Sequence, residues 1–297
     1  MRRSNLEAAV LLTDVVGSTP LYEAIGDAAA LGQITNCLDT IRTIIRANGG
    51  EFIHSKGDDV LCIFVDPGAA LVAASQILTS PRGGGISIRA GLHFGQVIRA
   101  RHDIFGDVVN LTARLAAIAN PGEVLVTQSL VDVLSSSDRQ RLALLDKMIF
   151  KGKSEPCNIF TLLDDDRTLN TQISLSKAGK SQAQDAFARI ICVTLRYNDQ
   201  TKSCRNNENL TIGRSSDCDL VVPRQWVSRH HATITIANGR VRLAERSSSG
   251  TFISTHSGPE VLVRREDVLL LGSGIISPGV QCTSSDAQLI HYDVSVE

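Results

Sequence analysis

The stretch FIHSKGDDVLCIF, residues 52–64, reads as two short apolar strands joined by a turn that carries Lys56, Gly57, Asp58 and Asp59. Gly and Asp are ordinary turn formers, so the local reading is a solvated hairpin tip. Two adjacent acids between strands that run into a core call for a partner elsewhere in the chain. Upstream, AVLLTDVVGST at 9–19 is an apolar strand ending in Asp14, followed by a glycine and two hydroxyl residues ahead of a helical pattern. If this strand neighbours the hairpin, Asp14 and Asp58 come within a few ångströms of each other, and carboxylates that close repel unless a cation lies between them. An acid at a strand end, beside backbone able to approach phosphate, suits a hard divalent cation. The competing local role for Asp14 is a helix N-cap, for which Ser18 or Thr19 is as good.

Further outward, DIFGDVVNLTARL at 103–115 places Asn110 and Arg114 four residues apart, on one face of a helix. Between residues 8 and 163, strand-like runs alternate with longer helical patterns, which implies a domain built on one sheet with helices. Residues 164–187 are polar and lack a clear period, as a linker would. From residue 188 onward the texture changes to short β-rich runs such as NLTIGR, HATITIANGRVRLAE and VLLLG, separated by turn signals, which argues for an all-β sandwich.

Bulk properties narrow the function classes. The 297 residues suffice for two domains of ordinary size, and the 43% hydrophobic content fits a globular chain. A formal charge of -1 with both signs interspersed provides no basic field, so neither nucleic acid nor an anionic membrane is an expected partner. The seven cysteines lie far apart with no CxxC pair, and read as free thiols in a reducing compartment. The apolar stretch near the start is short and interrupted by Asp14, unlike a signal peptide or a membrane span. The expectation is a cytoplasmic protein.

Six motifs in order, LLTDVVGST, GGEFIHSKGDDVLCIF, IRAGLHFGQVI, DIFGDVVNLTARL, NPGEVLVT and FKGKSEPCNIFTL, together resemble the catalytic domain of class III nucleotidyl cyclases. The resemblance implies an α+β fold over residues 5–163, a ferredoxin-like mixed sheet with flanking helices. It makes Asp14 and Asp58 the ligands of two Mg2+ or Mn2+ ions per site, with the backbone at Val15 close to the metals and triphosphate. Asn110 is then expected to orient the ribose and Arg114 to stabilise charge on the transferring phosphoryl group, a task that suits a planar guanidinium. Lys151 matches a lysine that contacts the terminal phosphates. Asp59 is expected to be a solvated neighbour.

In this family the metal acids come from one subunit and the Asn and Arg helix from the other, so the resemblance implies a homodimer with shared sites. Adenine is usually read by a lysine and by an Asp or Thr. Asp103 stands at the second position and can accept from the adenine amino group, which favours ATP over GTP. His54 stands where the lysine is usual; a neutral imidazole can also donate to the base. Lys56 is expected to point to the opposite face and not to substitute. The expected reaction is conversion of ATP to 3',5'-cyclic AMP and pyrophosphate. The competing class is a low-activity or inactive cyclase fold acting as a dimeric nucleotide sensor or scaffold.

The second half, LTIGRSSDCDLVVPRQWVSRHHATITI at 210–236 followed by RLAERSSSGTFIS at 242–254, resembles a forkhead-associated (FHA) domain, a phosphothreonine-binding β-sandwich, over residues 188–297. The resemblance implies phosphate contacts from Arg214 and Ser228, with Arg229, Ser248 and Ser249 lining the peptide site and His231 bracing the loops. Ser249 replaces an asparagine that usually holds the ligand backbone. The adjacent His230 and His231 are expected to diverge and serve structure rather than metal binding. Expected ligands are a phosphothreonine-containing protein, or the chain's own linker phosphorylated at Thr168 or Thr171.

Overall fold

The computed structural model of the chain describes residues 4–82, 86–100, 103–149, 155–163, 191–255 and 259–296. It divides into two compact units, Met1–Leu145 with Ile159–Phe187, and Asp146–Asn158 with Ala188–Glu297.

In the first unit β1 (Ser4–Val16) leads through α1 (Ser18–Ile25) and α2 (Asp27–Ala47) to the hairpin β2 (Glu51–Lys56) and β3 (Asp59–Phe64). There follow α3 (Pro67–Thr79), β4 (Ser87–Ala100), β5 (Asp103–Phe105), α4 (Asp107–Ile118), β6 (Val124–Thr127), α5 (Gln128–Val133), α6 (Ser136–Arg139), β7 (Leu142–Met148) and β8 (Cys157–Leu162). The sheet runs β8-β6-β4-β1-β3-β2, with β5 paired to β4.

The apolar run of β1 follows from its central place. Ala9 and Leu11 join one core with Ile41 and Ile45 of α2 and Leu71 and Ile77 of α3. Ala8 and Val10 point the other way, into a second cluster with Leu61, Val97, Ile104 and Val108. A strand covered on both faces needs apolar side chains at successive positions rather than in alternation. Gly91 of β4 marks the closest approach of α4, since a Cβ there would sit 2.4 Å from the Thr112 carbonyl oxygen and 2.6 Å from the Ala116 nitrogen.

The second unit is built from β9 (Ile191–Tyr197), β10 (Gln200–Arg205), β11 (Asn209–Gly213), β12 (Leu220–Val221), β13 (Ala232–Ala237), β14 (Arg240–Glu245), β15 (Thr251–Thr255), β16 (Val261–Val263), β17 (Asp267–Leu270), β18 (Ser273–Pro278) and β19 (Ile290–Val296). One sheet runs β12-β11-β13-β14-β17 and the other β10-β9-β19-β18-β15-β16. Leu195, Ile253 and Ile276 of one sheet and Ile234, Leu243 and Val268 of the other meet in a single core, as in a sandwich.

Candidate functional site

β1 pairs with β3 in antiparallel register as far as Thr13 opposite Val60. One step further along that register, Asp59 comes opposite Asp14. Carboxylate oxygens of Asp14, Asp58 and Asp59 all lie within 4.8 Å of one another. The hairpin therefore brings Asp58 to Asp14, as the sequence suggested. Asp59 departs from expectation. It is half-buried within the acid cluster, and burial together with the charges of Asp14 and Asp58 pushes its carboxyl up to about 6.

Two neighbours hold this cluster in place. Ser18 Oγ donates to Asp58 Oδ2 at 2.8 Å, and α1 is capped at Gly17 with no side-chain cap bond. Neither Asp14 nor Ser18 is thus a helix cap. Arg89 stands directly opposite Asp14 in the β1–β4 pairing, forms an ion pair with it, and donates through Nη1 to the Ala117 carbonyl at 2.8 Å. At 8% exposure Arg89 is buried. A buried guanidinium needs a charge partner, and a carboxylate among carboxylates needs a cation. Sequence reasoning passed over Arg89, although an arginine inside the apolar run SIRAGLHF was the available signal.

Val15 is buried just past Asp14 on β1. On α4, Val108, Leu111, Thr112, Leu115 and Ala116 face the core, while Asn110 and Arg114 are exposed on the opposite side. Among the described residues, no hydrogen bond or ion pair joins Asn110 or Arg114 to the acid cluster.

His54 and Asp103 do come together. His54 Nε2 lies 3.5 Å from Asp103 Oδ1, and both side chains are 44% exposed. The β2–β3 ladder slips between Phe52 and His54, then runs regularly through Ser55–Val60 to Lys56–Asp59. Lys56 therefore shares the His54 side of the strand, contrary to expectation, because residues two apart on a regular strand point the same way. Lys151, Thr168 and Thr171 lie outside the described residues.

In the second unit, Gly213 ends β11 against the loop before β13. A Cβ there would lie 2.0 Å from the Arg229 carbonyl oxygen, so only glycine fits. The same contact zone is tied by Arg214 N–H to Ser228 O at 3.0 Å and Ser215 N–H to Arg229 O at 3.2 Å. Ser228 Oγ accepts from Ser248 N–H at 3.4 Å, and Ser249 Oγ donates to Trp226 O at 2.9 Å. Arg214, Ser228, Arg229, Ser248 and Ser249 thus border one another, with Arg214, Arg229 and Ser248 exposed.

His230 and His231 do diverge. His230 is exposed, whereas His231 is fully buried, accepts from Ser228 N–H at Nδ1 (3.1 Å) and places Nε2 3.1 Å from Gly250 O. The Nδ1 acceptor role puts the proton on Nε2, which donates to Gly250. Burial holds the His231 pKa below its ordinary value. All seven cysteines are free thiols.

The family model described as "Adenylate and Guanylate cyclase catalytic domain" matches residues 2–163. The chain belongs to this family. A model described as "FHA domain" matches residues 210–272, so a cyclase catalytic domain is followed by an FHA domain. An uncharacterised protein of Mycobacterium tuberculosis is 30% identical over 166 residues, covering 55% of this chain and 43% of that protein. An adenylate cyclase of Streptomyces coelicolor is 33% identical over 134 residues, covering 42% of this chain and 34% of its own length. The chain thus spans less than half the length of these relatives. The catalytic core of a rhodopsin-guanylyl cyclase with converted specificity, solved in complex with ATPalphaS, superposes with a TM-score of 0.50 at 19% identity, covering 55% of this chain and 99% of that one. That likeness bears on the fold of the cyclase unit alone. Among the described residues, no helix is long and apolar enough to cross a membrane.

Proposed function

We propose that this chain is an adenylate cyclase that forms 3',5'-cyclic AMP and pyrophosphate from ATP at sites shared across a homodimer, with an FHA unit that recognises phosphothreonine. The observation that carries the cyclase reading is the convergence of Asp14 and Asp58 at one point of the sheet while Asn110 and Arg114 of the same chain face outward. Such a chain offers one half of a site on the sheet and the other half on α4, which suits completion by a second copy.

The acids pass a test of chemistry for Mg2+ or Mn2+. Three carboxylates with oxygens within 4.8 Å supply hard anionic donors in a space that Arg89 alone does not neutralise. Asp14 and Asp58 would hold the cations, with Asp59 as a third carboxylate. When bound, the ions supply activation of the ribose 3'-hydroxyl and neutralise charge on pyrophosphate. Arg89 and Ser18 keep the acids in register before substrate arrives. Asn110 orients the ribose, Arg114 meets the charge growing on the phosphoryl oxygens, and Lys151 is assigned to the terminal phosphates. Asp103 accepts from the adenine amino group, and its neighbour His54 donates to the ring.

Arg214 and Ser228 are assigned to the phosphate in the FHA unit, where a guanidinium and a hydroxyl on tied loops match a dianion. Its ligand is a phosphorylated partner or the chain's own linker.

Cyclic AMP formation by purified protein with ATP and Mn2+ tests the reading. Asp58→Ala should abolish it. Mixing Asp14→Ala with Arg114→Ala should restore activity in proportion to heterodimer formed. Heterodimers without recovery would overturn the shared site, and no turnover by the wild type would leave the sensor or scaffold role.

A further inference from the structure

Apart from the cyclase acids, one further set of metal-ligating side chains converges among the described residues. Asp217 and Cys218 come from the β11–β12 loop and His230 from the loop before β13, and a ligand atom of each lies within 4.8 Å of the others. His230 Nε2 is 2.9 Å from Asp217 Oδ2. Cys218 Sγ donates to the Arg229 carbonyl at 3.2 Å, in the residue that precedes His230. The loops that carry the three are themselves fixed, because Cys218 N–H donates to Ser215 O and Ser215 N–H to Arg229 O. Asp219, the other acid of the DCD triplet, is turned away and engaged by the Thr211 amide and hydroxyl at 2.8 and 2.7 Å. Asp217 is therefore the acid of that triplet aimed at His230.

An exposed His–Asp pair alone is a weak contact. A thiol placed at the same point changes its chemistry. We propose that Asp217, Cys218 and His230 form a binding site for a borderline-soft divalent metal ion of the zinc class, with a further position open to water. Thiolate and imidazole donors select such an ion over Mg2+ or Ca2+, and three protein ligands with an open position suit its tetrahedral preference. On binding, the Cys218 thiol loses its proton to solvent and the sulfur takes the metal. His230 binds through the Nε2 lone pair with its proton on Nδ1, and Asp217 gives one oxygen. The ion joins the loop after Arg214 to the loop containing Ser228 and Arg229. The site does not depend on those loops binding phosphate.

Titration of the full chain with Co2+, which takes the place of Zn2+ and absorbs when bound to thiolate, tests the site. With excess Mg2+ present to fill the cyclase acids, the expected result is a thiolate-to-cobalt charge-transfer band that saturates at one equivalent per chain and is discharged by Zn2+. His230→Ala and Asp217→Asn, both at exposed positions, should weaken Co2+ binding more than about tenfold, since loss of even an outer-shell partner commonly costs that much. Cys218→Ser should abolish the band. Should Cys218→Ser fail to fold, the two exposed variants decide, with Trp226 fluorescence as the check on their fold. Absence of the band at saturating Co2+, or a band of unchanged affinity in His230→Ala and Asp217→Asn, overturns the proposal.

Discussion

Asp14 and Arg89 stand directly opposite each other on β1 and β4, and the guanidinium that pairs with the Asp14 carboxylate also donates to the Ala117 carbonyl in the last turn of α4. One side chain thereby links an acid proposed to hold metal to the helix that carries Asn110 and Arg114. A cation in the last turn of a helix is also favoured by the helix dipole.

Arg89→Met leaves three acids without their internal counter-charge. Loss of one partner of a fully buried pair costs ~3–5 kcal/mol, and the partial exposure of Asp14 reduces this to about 2 kcal/mol here. Urea unfolding of the cyclase unit should show that loss. Added Mn2+ should stabilise the variant more than the wild type, because the ion restores positive charge among the acids. An equal response in both proteins would remove Arg89 from the electrostatics of the cluster.

Gly91→Ala should act on catalysis through distance. The new methyl would meet backbone of α4 at 2.4 and 2.6 Å, which a side-chain rotation does not relieve. Overpacking of this kind costs ~1–3 kcal/mol, and the relief is movement of α4 away from β4. Cyclase activity should fall at least tenfold at temperatures where circular dichroism still shows folded protein. Full activity in a folded variant would mean that the seating of α4 on β4 is not critical.

His54→Lys tests how the base is read. His54 lies 3.5 Å from Asp103, the residue proposed to accept from the adenine amino group. A lysine adds a charged donor, and a charge-assisted hydrogen bond contributes ~1.5–3 kcal/mol. The kcat/KM ratio for ATP over GTP should rise by about tenfold. An unchanged preference and rate would exclude His54 from base recognition.

The second unit should lose stability in mild acid. His231 is buried as the neutral imidazole and its folded pKa lies below the ordinary value of 6.5. The unfolded chain therefore takes up a proton near pH 6.5 that the folded state refuses. The stabilising contribution is intact above pH 6.5 and declines as pH falls toward the folded pKa, by at most ~1.4 kcal/mol per pH unit. Trp226, the one tryptophan, packs against this core and reports its urea unfolding. His231→Gln should flatten the dependence between pH 6.5 and 5.

Local pattern alone carried much of this protein. The two-strand reading of residues 52–64, the change from an α+β first unit to an all-β second unit, and the Asn110–Arg114 helix face all follow from short-range periodicity and turn chemistry, which depend on residues close in sequence. Motif order was enough to indicate the family. Tertiary structure decided what depends on register between distant strands. Asp59 joins Asp14 because β1 and β3 pair antiparallel with Thr13 opposite Val60, and Arg89 reaches Asp14 because β4 pairs on the other edge of β1. The Asp217, Cys218 and His230 cluster likewise needs two loops brought together at Gly213, where a backbone contact, not a sequence pattern, sets the distance. Charge partners across a sheet are separated by tens of residues, and nothing in their own neighbourhoods specifies the pairing.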